Sequence, residues 1–383
     1  MKVEGVPLAK LRTRTSEKWT DFDPDVLPMP VAEMDFEIAP EIRKSLIAMI
    51  ENSDTGYMGD TDRLTRNFAK FAADRWSWNL NPDQQFLCTD VGVGMIEMAR
   101  TLVQPGDSIM INSPVYLNMF NWIKELHCQA VDAPMKRKGL EYSLDLDAIE
   151  EGYKSGVKIH FLCNPQNPTG SVHSRADLEK IATLAHHYGV YVFSDEIHAP
   201  LVFEEEEFIP FLSVSNEARE VGVCVTAASK SWNLAGLKCA FILTQSERTL
   251  ALAKRMPLSV RFRASLLGAR ATSIAFECVE WLDSAMKLLD SNRKLVGELL
   301  ATHLPKAGYR IPNCSYLAWI DLSAYELVED PSKIALEKGR VAFTPGYLFG
   351  QGCRDFVRLN FATSPELIEE GINRLTKALN SEN

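Results

Sequence analysis

The stretch KIHFLCNPQNPTGSVHSRADLEKIATLAHHYGVYVFSDEIH, residues 158–198, decides how this chain is read. It opens and closes on runs that are nearly continuous in apolar residues, KIHFLCN (158–164) and VYVFSDE (190–196). Such runs suit strands covered on both faces by helices. Between them, residues 174–188 carry helical periodicity, with Ser174 placed as an N-cap and acidic residues in the first turn. Strand, helix and strand in that order make one unit of an open α/β sheet. Ligands bind at the carboxyl ends of the strands in such sheets, so the polar residues that close each run are the ones to examine.

The alternation continues outward. Strands are expected at QFLC (85–88), SIMIN (108–112), GVCVTAAS (222–229) and KCAFILT (238–244), with helices near 93–104, 117–126 and 247–256. Residues 264–303 read as one long amphipathic helix, with room for an interruption. Beyond Pro305, YLAWIDL and DFVRLNFA are strand patterns, and 331–338 and 365–380 are helical. The expected fold is α/β: a large domain with a mostly parallel sheet over 48–280, and a smaller α+β domain over 281–383. The irregular segment 1–47, with Pro28, Pro30 and Pro40, is expected to join the smaller one.

Composition narrows the function. The net charge of −10 disfavours nucleic acid and anionic membrane surfaces, both of which call for a basic face. No apolar run approaches the ~20 residues of a membrane span, and the N-terminus lacks the apolar core of a signal peptide. The eight cysteines form no C-x-x-C pair and several lie in apolar strand runs, which points to a reduced, cytoplasmic protein. The seven histidines show no metal-ligand spacing, so no metal is expected. TDVGVGM (89–95) offers only G-x-G, short of a dinucleotide-binding fingerprint.

Four strand ends carry unusual chemistry: TDVGVG, NPQNPTG, SDEIH and AASKSWNLAGLK. Each has an ordinary reading beside the functional one. NPQNPTG is also a turn composition, SDEIH could be a solvated strand end, and a lone Lys230 would be unremarkable. An Asp closing a buried strand can nevertheless hold a cationic ring nitrogen where the dielectric is low. Arg358, inside the apolar run VRLNFA, is costly to bury unless it meets an anion. Glu204–Glu207 reads as a solvated, self-repelling loop.

The order NPQNPTG, DEIH, SK-x7-K and VRLNFA resembles the class I/II aminotransferase superfamily of fold-type I pyridoxal 5′-phosphate (PLP) enzymes. The likeness runs from LPMPVAEMDF (27–36) to VRLNFATSPELIEEGINRL (357–375). It implies that Lys230 holds PLP as a Schiff base and then moves the Cα proton of an amino-acid substrate. It further implies Asp195 against the pyridinium nitrogen, Asn167 on the ring's phenolic oxygen and Tyr116 stacked on the ring. Gly92, Val93, Ser229 and Lys238 would bind the phosphate, with Lys238 in place of a commoner Arg and Ala227 in place of a hydroxyl residue. Arg358 and the backbone around Ala32 would receive the substrate carboxylate. Tyr57, in TGYMG, would reach the phosphate of a neighbouring subunit, making a homodimer with shared active sites.

His198 stands where much of the family has a Tyr. It either reaches the phenolic oxygen or supports the site from behind, and both readings stay open. That residue, with SKSWNLAGLK, LPMPVAEMDF and YLAWIDL, looks like the cystathionine β-lyase (C–S lyase) branch. The branch often has Thr-Phe-Asn where this chain has Ser231-Trp232-Asn233, and Trp232 is expected to enlarge the wall beside the cofactor. The implied reaction is α,β-elimination of a sulfur amino acid such as cystathionine to a thiol, pyruvate and ammonia. Alternatives are an aminotransferase of a neutral or aromatic amino acid and a PLP-fold protein that binds or regulates without turnover.

Overall fold

The structure, a computed structural model, describes residues 2–381. Seven strands build the main sheet: β1 (Gln85–Cys88), β2 (Ser108–Ile111), β3 (Gln129–Asp132), β4 (Ile159–Cys163), β5 (Tyr191–Asp195), β6 (Gly222–Thr226) and β7 (Ala240–Leu243). Their order is β1-β7-β6-β5-β4-β2-β3. Strands β3, β2, β4, β5 and β6 run parallel, while β7 is antiparallel to both neighbours. The reversal has a local cause: β6 and β7 are joined by the loop carrying Lys230, with no crossover helix, and a direct return gives antiparallel pairing.

Every residue of β4, β6 and β7 is buried, as their unbroken apolar sequences require of strands packed on both faces. Helices α1 (Val91–Ala99), α2 (Asn118–Glu125) and α3 (Arg175–Tyr188) connect strands of this sheet. The Ser174 hydroxyl accepts from the Asp177 N–H at 3.1 Å to start α3. Gly189, with φ +73°, ends it in the left-handed region open to glycine. The long helix expected from 264 to 303 is two helices, α4 (Leu266–Ala275) and α5 (Val279–His303). At the break, Phe276 turns into an aromatic cluster with Phe68, Phe71, Trp232 and Phe241.

Edge strand β3 was not legible in the sequence, because its residues are mostly exposed and polar. The same holds for a surface hairpin pairing Lys136–Lys138 with Glu141–Ser143.

A second, antiparallel sheet follows α5. Its strands are β8 (Gly308–Tyr309), β9 (Leu317–Asp321), β10 (Thr344–Pro345) and β11 (Phe356–Asn360), ordered β8-β9-β11-β10. Helix α6 (Pro365–Asn380) lays its apolar face, including Ile368, Ile372, Leu375 and Leu379, into the core. The N-terminal segment belongs to the same packing: Leu27–Pro28 pairs in parallel with Val341–Ala342. The Asn360 side chain donates to the carbonyls of Val31 at 2.6 Å and Glu33 at 2.7 Å, satisfying backbone groups that no sheet partner serves. Asn233 clamps the same segment from the other side, its Oδ1 accepting from the Met34 N–H and its Nδ2 donating to the Met34 carbonyl. Residues 30–34 are thereby stretched between the two sheets. Among the described residues no helix is long and apolar enough to cross a membrane.

Candidate active site

A cavity of about 680 Å³ opens at the carboxyl ends of β4, β5 and β6, where a mostly parallel α/β sheet presents its ligands. Lys230, Asp195, His198, Asn167, Tyr116, Ser229, Lys238, Gly92, Ala32 and Arg358 all line it. The residues that close separate strands in the sequence are thus brought together in space.

Lys230 sits in the turn after β6, half-buried, with its Nζ donating to the Ala32 carbonyl at 3.0 Å. Burial pulls its ammonium down to about 8, helped by the Arg358 charge and opposed by Glu33 and Asp195. A lysine in that condition gives up its proton more readily than an exposed one, as a nucleophilic amine must. Asp195, the last residue of β5, is buried; its Oδ1 accepts from the Ile197 N–H at 3.2 Å. Burial raises its carboxyl to about 7, against the pull of that N–H and of Lys230.

Arg358, on β11, is buried without a carboxylate partner among the described residues. Its Nη1 donates to Asn167 Oδ1 at 3.1 Å, and its Nη2 to the Pro30 carbonyl at 3.1 Å and Thr344 Oγ1 at 3.2 Å. Its Nε is buried with no hydrogen-bond partner among the described residues. Burial lowers the guanidinium to about 10. The guanidinium also lies over the Phe349 ring at 4.9 Å, and a buried cation held by neutral acceptors and an aromatic face suits binding of an anion.

Tyr116 accepts from Asn118 Nδ2 at 2.7 Å and meets Trp122 edge-on at 5.8 Å. Burial raises its phenol. His198 is buried beside Tyr316, with Nδ1 against Ser315 Oγ at 3.1 Å, and burial lowers its imidazole to about 3, so it is neutral. At the far end, α1 begins with Asp90 as its N-cap: Oδ1 accepts from the Val93 N–H at 2.9 Å, and Oδ2 lies 3.4 Å from Lys238 Nζ. Lys238 itself has φ +57°, a left-handed backbone that turns its side chain toward α1.

Not every expected residue comes to the cavity. The Val93 N–H is taken by Asp90, and Val93 does not line the site; Gly92 does. Trp232 departs furthest from expectation. It is fully buried on the opposite side of the Lys230 turn, its Nε1 donating to the Cys278 carbonyl at 3.3 Å and its ring edge-on to Phe71 and Phe276. It forms core, not cofactor wall, because a tight turn rotates a residue two positions on to the other face. Tyr57 is 92% exposed and outside this chain's own cavity. Ala227 is buried and offers no side-chain donor.

The sequence reading missed Glu17, Asp21, Asp90, Trp122 and Thr344, which also line the site. An Asp just ahead of a helical run is an N-cap signal, so Asp90 could have been found. The others have no local signature; tertiary packing alone brings them in.

The cavity fits a phosphorylated pyridine aldehyde on the residues' own terms. It sets an accessible lysine and a buried acid together, with an aromatic ring to one side, and a helix N-terminus with Ser229 and Lys238 at one end. Fold and site together define the class of fold-type I PLP-dependent transferases. The chain belongs to the family of class I and II aminotransferases, whose pattern matches residues 24–375. It is 34% identical to the cystathionine beta-lyase of Corynebacterium glutamicum, covering 97% of this chain and 99% of that one. It is 30% identical to cystathionine beta-lyase PatB of Bacillus subtilis (strain 168), covering 93% of each. Among solved structures, cystalysin from Treponema denticola, which contains a PLP cofactor, matches with a TM-score of 0.92 at 27% identity. That match covers 97% of this chain and 98% of cystalysin.

Proposed function

We propose that this chain is a PLP-dependent C–S β-lyase that eliminates a thiol from a sulfur amino acid such as cystathionine, leaving pyruvate and ammonia. The observation that carries the proposal is the pairing of a half-buried Lys230 with a buried, carboxylate-free Arg358 in one cavity. Bound PLP supplies an electron sink that makes the substrate Cα–H acidic. Lys230 is the residue that would hold the cofactor, and its Nζ is the group placed to take up the Cα proton. Asp195 opposes a cationic ring nitrogen with a carboxylate in a low-dielectric setting. Gly92, Ser229 and Lys238 would hold the phosphate, and Tyr116 and Asn167 would hold the ring. The Arg358 guanidinium would bind the α-carboxylate and so orient the Cα–H toward Lys230.

Elimination is favoured over transamination by the relatives of this chain. An aminotransferase of neutral or aromatic amino acids is the second reading. A dicarboxylate aminotransferase is disfavoured because Arg358 is the one arginine lining the cavity among the described residues. The fully exposed Tyr57 supports a homodimer in which it completes the neighbour's phosphate site. The eight free cysteines, seven of them buried, suit a reducing compartment, and a cytoplasmic location is part of the same proposal.

Incubation with cystathionine tests the reaction. Pyruvate released without an added 2-keto acid supports elimination, whereas turnover that depends on a keto acid acceptor overturns it in favour of transamination.

A further inference from the structure

Two carboxylates at the mouth of the cavity have no part in the chemistry above. Glu17 and Asp21 both line it, and they stand four residues apart around the short helix Glu17–Thr20, hence on one face. The residues between them hold that helix down. Lys18 is buried and donates to Asp35 Oδ2 at 2.8 Å, and Trp19 is buried. Arg14 donates to the carbonyls of Met34 and Phe36. With Lys18 and Trp19 committed to the interior, Glu17 and Asp21 are left facing the opening. Neither makes an ion pair among the described residues.

The other charges lining the cavity are accounted for. Asp90 lies against Lys238, Asp195 feels Lys230, and Arg358 is held by Asn167, Pro30 and Thr344. The Glu17 charge reaches inward far enough to act on Lys230 and Tyr116. An amino acid anchored by its α-carboxylate on Arg358 and by its Cα at Lys230 must extend its side chain toward the opening. There it meets two unpaired negative charges.

We infer that Glu17 and Asp21 form a subsite for a cationic group at the distal end of the substrate side chain. The inference rests on the lyase reading above and names its substrate class: thioether amino acids bearing a distal ammonium. Cystathionine carries such a group next to its second carboxylate. A substrate ending in a carboxylate alone is repelled there, which gives selection by attraction and by exclusion at the same place.

The test compares L-cystathionine with S-(3-carboxypropyl)-L-cysteine, which is the same molecule without the distal ammonium. The wild-type protein should prefer cystathionine in kcat/KM. In the double variant Glu17→Gln/Asp21→Asn that preference should fall about tenfold, with each single variant giving part of the loss, in keeping with partly exposed ion pairs. A second readout does not need turnover. In holoenzyme reduced with borohydride, the ratio of the two dissociation constants measured by calorimetry should fall by a similar factor. If pyruvate forms and both ratios are the same in variant and wild type, the subsite is overturned while the lyase reading stands. If no pyruvate forms but the binding ratio shifts, the subsite stands and the lyase reading falls. Both substitutions are at exposed positions, and unchanged circular dichroism confirms folding.

Discussion

Arg358 Nη1 donates to Asn167 Oδ1 at 3.1 Å, so a guanidinium on the small sheet and an amide on a loop of the large sheet hold each other in place. A residue proposed for the substrate and one proposed for the cofactor therefore share a hydrogen bond, and disturbing either is felt by both.

Arg358→Lys should lower kcat/KM on the order of 100-fold, because a point ammonium cannot serve Asn167, Pro30, Thr344 and a carboxylate at once. Steady-state kinetics would show it, with much of the loss in KM. An unchanged kcat/KM would place the carboxylate elsewhere.

Lys230→Ala should abolish covalent retention of PLP and reduce turnover by about a thousandfold or more, since both proposed proton transfer and cofactor attachment use one Nζ. Borohydride should fix the cofactor on residue 230 of the native protein, as peptide mapping would reveal. Label found on another lysine would displace Lys230 from its role.

The pH dependence of the cofactor-free protein follows from buried groups. Asp195 and Glu196 are each raised to about 7 by burial, so the folded state holds their protons more tightly than the unfolded chain. The stability they give is complete below the unfolded carboxyl range and is lost as pH rises toward about 7. His160 and His198, lowered to about 3 by burial, act in the opposite sense, their contribution being lost as pH falls from the usual imidazole range. A melting curve of the wild type mixes these effects. The difference between Asp195→Asn and wild type isolates one: the variant's melting temperature, relative to wild type, should climb from pH 4 to pH 7 and level off above. A flat difference would mean that Asp195 is not held protonated by its surroundings.

Trp232→Ala should destabilise the fold by about 3–5 kcal/mol, the usual cost of emptying a large aromatic from a packed core, as read from urea unfolding. Trp232→Phe should cost less and leave substrate preference unaltered, since the ring lies against Phe71 and Phe276 and not in the cavity. A change in substrate ranking would return Trp232 to the cofactor wall.

Much of this architecture can be read along the chain because its strands are buried on both faces. β4, β5 and β6 declare themselves by unbroken apolar runs, and Asp195, Asn167 and Lys230 follow from where those runs stop. Arg358 stands out because an arginine interrupts an apolar strand. Strand β3 stayed hidden because an exposed edge needs no apolar pattern. Trp232 was misassigned because distance along a turn does not tell which way each residue faces. Val93 was misassigned because the Asp90 cap claims its N–H. Thr344 and Glu17 reach the site only through packing between segments over 300 residues apart in the chain, for which one sequence carries no signal.

The threading of residues 30–34 between the sheets has a consequence for biosynthesis. Leu27 pairs with Val341 and the Met29 carbonyl accepts from the Asn360 N–H, so this segment is seated by residues synthesised more than 300 positions after it. A nascent chain already carrying Lys230 and Asn233 can hold this segment from one side only; the contacts from Arg358 and Asn360 wait until β11 is made. Contacts that close so long a loop form late. The pocket therefore matures after the sheet beneath it, and cofactor capture becomes a checkpoint that a chain still lacking β11 cannot pass.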